Sequence, residues 1–221
     1  MSGSNNFADI CMCEIERIFT YNNTAMLSFS VHYPKVTLYH NPIAQNNINH
    51  KIQTQVNRFY HYASNELYQL AISDYKNSIE NGFPFRQYDA TMQYTVTYNR
   101  DNLLSLYSDR YTYTGGAHGN TVRASDTWSL MSGQEILLKQ FFPNVPDYRA
   151  FLIDIITRQA DKRMQENPGI FFENYQELIS QYFNEDQFYL THLGIDIYYQ
   201  QYEIAPYSTG IVIFTIPYVQ K

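Results

Sequence analysis

Chemistry in a protein needs histidines, cysteines or paired carboxylates at workable spacing, so these residues come first. Six histidines occur, His32, His40, His50, His61, His118 and His192, and none pairs with another at the i, i+4 step that sets two ligands on one helix face. Cys11 and Cys13 form a Cys-x-Cys without a second cluster, too sparse for a zinc site. In a strand both side chains share a face, too far apart for an easy mutual disulfide, and they read as small buried hydrophobes. Glu14 with Glu16, and Glu185 with Asp186, are carboxylate pairs at strand and loop positions that read as solvated faces. No Gly-x-Ser-x-Gly elbow, phosphate loop or dinucleotide fingerprint occurs. No metal and no cofactor is expected from these patterns, and no enzyme can be named from them.

One stretch stands apart. Gly115, Gly116 and Gly119 fall within five positions around Ala117 and His118, between two tyrosine-rich extended runs. Glycine reaches positive φ without a Cβ clash, so the spacing reads as a sharp reversal or as a surface where a ligand approaches bare backbone. His118, in that turn, is the first candidate for a binding residue, joined by Gly116 and Tyr113. A ring nitrogen bonded to a nearby carbonyl, fixing the turn, is the structural alternative. The corner at Pro206 and Tyr207 has the same double reading, with the Tyr207 hydroxyl expected to tie down a chain reversal.

The elements that must position these residues follow from periodicity. Residues 10–21 and 25–35 alternate as two strands of a hairpin turned at Asn22-Asn23-Thr24, with Pro34 and Pro42 bracketing the loop that closes it. From 47 to about 81, Ile48, Ile52, Val56, Phe59, Ala63, Leu67 and Leu70 make one helical stripe, capped by Asn46 or Asn47 and stopped at Asn81-Gly82. Strands over 86–99, 103–113 and 121–130 form an antiparallel meander, followed by a short strand at 135–138. Residues 147–167 and 173–182 read as helices. A hairpin over 187–199 and a buried, almost wholly apolar strand over 211–218 complete the chain. The fold class is α+β, with antiparallel sheets and helices packed on one face. No low-complexity linker occurs, and the helix-then-strands order repeats weakly. This divides the chain into two packed subdomains, 10–131 and 132–221.

At 221 residues the chain can bury a sizeable core without staples. Tyr (22) and Phe (14) are abundant while charged residues are only 16%, a composition suited to binding proteins or sugar rings through large aromatic contacts. The net charge of -6 and the lack of a basic stripe argue against nucleic acid, and permit a basic partner. No stretch approaches the ~20 apolar residues of a membrane span, and no signal-peptide core precedes the domain. Residues 1–4 read as a cloning remnant or an irregular start.

Two motifs then carry a family resemblance. Tyr113-Thr-Gly-Gly-Ala-His-Gly-Asn120, with Trp128 downstream, resembles the module at the front of PdaC-type peptidoglycan deacetylases. Phe188-Tyr-Leu-Thr, Tyr202-Glu-Ile-Ala-Pro-Tyr-Ser-Thr-Gly210 and Ile216-Pro-Tyr218 resemble the domain that follows it in RsiV-like anti-sigma factors, in the same order. The resemblance implies an extracytoplasmic location, in a secreted protein or one anchored through a segment absent from this chain. It implies a binding or sensing role toward a lysozyme-like protein or a cell-wall glycan. The sigma-binding segment, transmembrane helix and deacetylase domain of those relatives have no counterpart here. A glycan-directed hydrolase or deacetylase using His118 with a neighbouring carboxylate is the enzymatic alternative, and a self-pairing envelope protein is a third.

Overall fold

The computed structural model describes residues 7–218, and residues 1–4, expected to be irregular, lie outside the described residues. The chain begins with β1 (Asp9–Tyr21) and β2 (Thr24–Thr37), joined by Asn22 and Asn23 at φ 48° and 62°. Two consecutive left-handed residues are the signature of a turn that matches strand twist, which is why asparagine occupies both places.

A long helical rod follows: α1 (Pro42–His61), a π-helical turn (Tyr62–Leu67) and α2 (Tyr68–Asn81). It begins five residues before the expected 47, because Asn41 caps the Ala44 N–H and Pro42 presets the first turn. It stops at Gly82, φ 72°, where the sequence put the break. Pro34 lies within β2 and Pro42 opens α1, so the two prolines do not bracket a loop.

β3 (Tyr88–Arg100), β4 (Leu103–Tyr113) and β5 (Asn120–Ser129) complete a five-stranded sheet of order β1-β2-β3-β4-β5. The α+β class holds, but the sheet is mixed: β2 and β3 run parallel, from Leu27 opposite Tyr88 to His32 opposite Gln93. The rod between them is the crossover that a parallel pair requires. It covers one sheet face, packing Ile48, Ile52, Val56 and Phe59 against Leu27, Phe29 and Val31, all buried. Cys11 is exposed and Cys13 only half-buried, against the expectation of buried cysteines. The reason is position: β1 is an edge strand, and among the described residues no strand pairs with its outer side.

Residues 135–138 do not form a strand. Glu135 makes a single bridge to Trp128, and Leu138–Phe141 coil into a 3-10 turn. α3 (Tyr148–Glu166) and α4 (Tyr175–Tyr182) then pack on a second sheet, β6 (Phe188–Leu190), β7 (Gly194–Tyr199) and β8 (Val212–Pro217), around Leu152, Ile156, Ile179, Ile197 and Phe214. β8 alternates buried and half-exposed residues, so it is not buried throughout as expected.

The second sheet leans on the bare face of β4 and β5, and polar groups make the join. Ser105 and Thr127 hydroxyls lie 2.8 Å apart, and Ser105 Oγ also accepts the buried Leu190 N–H at 2.9 Å. An unpaired N–H at that depth would cost about 1–3 kcal/mol.

Candidate functional site

The glycine-rich loop, residues 114–119, projects beyond β4 and β5 and is held from both sides. Arg86 Nη1 donates to the carbonyls of Gly115 and Gly116 at 3.3 and 3.2 Å, and the Tyr113 hydroxyl donates to Gly116 at 3.1 Å. Gly115 sits at φ 81°. Gly119 lies under the Tyr111 ring, where a Cβ would come within 2.3 Å of ring carbon Cε2. Gly116 faces open space, where an added Cβ would lie 3.9 Å from its nearest neighbour, the His118 carbonyl oxygen.

His118 is exposed, and its Nδ1 lies 3.1 Å from the Gly119 carbonyl. Its ring stacks on Tyr207, centroids 3.9 Å apart and planes 21° off parallel. Tyr207 is in turn 5.8 Å from Tyr202, a ring that is 52% exposed. The four residues singled out in sequence therefore converge: Tyr113, Gly116 and His118 build the hairpin tip, and Tyr207 meets it from the other half of the chain. Among the described residues the Tyr207 hydroxyl makes no hydrogen bond, so stacking rather than the expected hydroxyl tie holds this ring. The described residues contain one histidine–carboxylate contact, His32 with Glu14 at 2.5 Å, and His118 has none.

The corner that presents Tyr202 and Tyr207 is fixed to β5 by two glutamines that periodicity could not reveal. Gln201 Oε1 accepts the Thr121 N–H at 2.9 Å. Gln200 accepts the Arg123 N–H at 2.9 Å and donates to the Arg123 carbonyl at 2.7 Å. Side-chain amides thus take the place of a sixth strand. Tyr202 reverses the chain at φ 67°.

Beneath the corner lies a second feature without a sequence signal. Arg123 donates from Nε and Nη2 to Asp109, each at 2.7 Å, with its guanidinium 3.7 Å from the Tyr107 ring centroid. Tyr189 and Tyr198 flank it at 5.9 and 5.8 Å. Burial pushes the Tyr198 hydroxyl up to about 12. Arg123 and Tyr107 come from β5 and β4, Tyr189 and Tyr198 from β6 and β7, so this stack clamps the two sheets.

Two cavities flank these parts. One of about 420 Å³ lies on the far side of the hairpin between Asp74, Phe83, Arg86, Tyr88 and Gly115. The Tyr88 hydroxyl donates to Asp74, and burial, helped by that carboxylate, raises its pKa. The other, about 220 Å³, includes Lys51, Asp126 and Glu135, where Lys51 Nζ meets Glu135 at 2.6 Å and Asp126 at 4.0 Å. Burial raises the Asp126 pKa against the opposing pull of Gln55 and Lys51. Among the described residues no group of three or more His, Cys, Asp or Glu side chains is placed to hold a metal ion. No helix among them is long and apolar enough to cross a membrane.

Residues 20–121 match the family model described as deacetylase PdaC, and residues 139–219 match that of a protein of unknown function, DUF3298. The two lie in the order that the motifs implied. A search of curated proteins finds no match. A DUF3298 family protein from Bacteroides fragilis, solved as a crystal structure, has the same fold at TM-score 0.70 and 20% identity, over 97% of this chain and 92% of that one. A DUF3298 family protein from Pseudomonas aeruginosa superposes at TM-score 0.60 and 17% identity, with the same coverage.

Proposed function

Taking the PdaC and DUF3298 matches as premise, we propose that this chain is an extracytoplasmic binding or sensing module of the bacterial cell envelope. Its ligand is a protein such as lysozyme or a peptidoglycan-type glycan. The observation that carries this reading is the aromatic platform in which exposed His118 and Tyr202 flank half-buried Tyr207, backed by hydrogen bonds at the hairpin tip and by two glutamines at the corner. Such rings offer a flat apolar surface with polar rims, and their rigidity lowers the entropy lost on contact. The net charge of -6 adds attraction for a basic protein partner. His118→Ala and Tyr207→Ala remove the platform without touching either core.

Isothermal calorimetry with animal-type lysozyme and with soluble peptidoglycan fragments tests the reading. Saturable heat with one of them is expected, with affinity falling about tenfold or more in Tyr207→Ala, the loss of about 1.4 kcal/mol or more that a central aromatic contact carries. Absence of heat with both ligands overturns it.

A further inference from the structure

The two edges of the five-stranded sheet differ. Along β5 the outer side is closed, by Gln200 and Gln201 at one end. At the other end the Ile136 N–H donates to the Thr127 carbonyl at 2.7 Å, and the Ser129 N–H to the Gln134 carbonyl at 3.0 Å. Along β1, no strand among the described residues pairs with the outer side. That strand runs 13 residues with no proline, glycine or lysine, and its one register break falls between Phe19 and Thr20, near its end. Met12 and Ile18 are 49% and 67% exposed. A long, open edge of this kind is a template for another strand, and natural sheets that stay unpaired usually blunt it.

The strand's own chemistry selects the occupant. The Met12 and Glu16 carbonyls accept from the side chains of Cys11 (3.8 Å) and Arg17 (2.7 Å), which sets the even-numbered peptide groups on the outer side. Odd-numbered residues therefore take the non-hydrogen-bonded positions of any strand added there. For two copies pairing antiparallel, a register centred on Ile15 would oppose Glu14 to Glu16. Centring on Glu14, Glu16 or Arg17 would oppose that residue to itself, and like charges directly opposite destabilise a sheet. Centred on Cys13, the overlap runs from 9 to 17 and opposes no like charges. It sets exposed Asp9 against exposed Arg17, twice by symmetry.

We propose that two copies of this chain join through β1, antiparallel about Cys13, so that two five-stranded sheets become one continuous sheet. Asp9 of each copy pairs with Arg17 of the other. Cys13 faces its symmetry mate with Cα atoms about 4.5 Å apart, inside the range a disulfide spans, while Cys11 faces Ile15. The pairing itself is non-covalent and independent of the ligand reading above.

Sedimentation velocity on the intact chain over a rising concentration series tests this, with a reversible dimer expected. Arg17→Asp sets two carboxylates opposite each other and returns the chain to monomer. Adding Asp9→Arg to it restores the dimer, and unchanged circular dichroism shows that both variants fold. Diamide, which takes two electrons and two protons from a pair of thiols, cross-links the Cys11→Ser variant and leaves Cys13→Ser uncross-linked. A monomer at every concentration overturns the proposal. So does a dimer indifferent to the charge reversal, or one cross-linked through Cys11.

Discussion

Within the hairpin tip, neighbouring glycines do different jobs. Gly119 gives up its side-chain space to the Tyr111 ring, whereas Gly116 opens onto solvent. Gly119→Ala should destabilise the fold by about 1–3 kcal/mol, the cost of overpacking a fixed ring. Gly116→Ala should stay within about 0.5 kcal/mol of the parent, as an exposed surface change does. Paired thermal melts check this, and equal losses in both variants would contradict it. His118 serves the same tip in two ways, holding the Gly119 carbonyl and covering Tyr207. The structural role weighed in the sequence is therefore compatible with an outward binding role.

Among the elements, the outer edge of β5 is the one that ties the halves. Gln200→Ala removes the partner of the Arg123 N–H and leaves its carbonyl only the longer contact from the Tyr198 hydroxyl at 3.4 Å, at a cost of about 1–3 kcal/mol where water cannot replace the lost amide. Hydrogen exchange at the Arg123 amide should quicken while Leu104 and Leu106, buried in the neighbouring strand β4, keep their protection. Unchanged exchange at Arg123 would remove the clamp from the account. Most elements were legible beforehand, because Ile48, Ile52, Val56 and Phe59 step at helical spacing and Leu27, Phe29 and Val31 alternate at strand spacing. What stayed hidden is long-range. Periodicity gives no strand order, so the parallel β2–β3 pair and the edge position of β1, with Cys11 exposed and Cys13 half-buried, could not be read. The site was half legible: glycine spacing marked the hairpin, but Gln200 and Arg123 act on residues 77 and 14 positions away in the chain.

Over the whole molecule, tyrosines stand within both mainly aliphatic cores, Tyr88 and Tyr94 in one and Tyr199 in the other, and at their junction. Tyr88, Tyr94, Tyr98, Tyr148, Tyr189, Tyr198 and Tyr199 all have hydroxyl pKa values raised first by burial, Tyr98 and Tyr148 to about 12. A group raised on folding holds its proton longer in the native state than in the unfolded chain, where tyrosine ionises near 10. The stability it contributes is complete below about 10 and is lost as pH rises through the folded value. Chemical denaturation should therefore show stability falling steeply from about pH 10 to 12, together with phenolate absorbance, and a flat profile there would contradict buried tyrosine cores. On the function proposed above, the two halves meet to present one rigid aromatic face to a ligand. An amide and aromatic NMR titration with lysozyme and with peptidoglycan fragments tests it most directly. Shifts are expected to cluster at Tyr113, His118, Tyr202 and Tyr207 and to vanish in Tyr207→Ala, whereas a bound ligand that leaves those four resonances unmoved would overturn that reading.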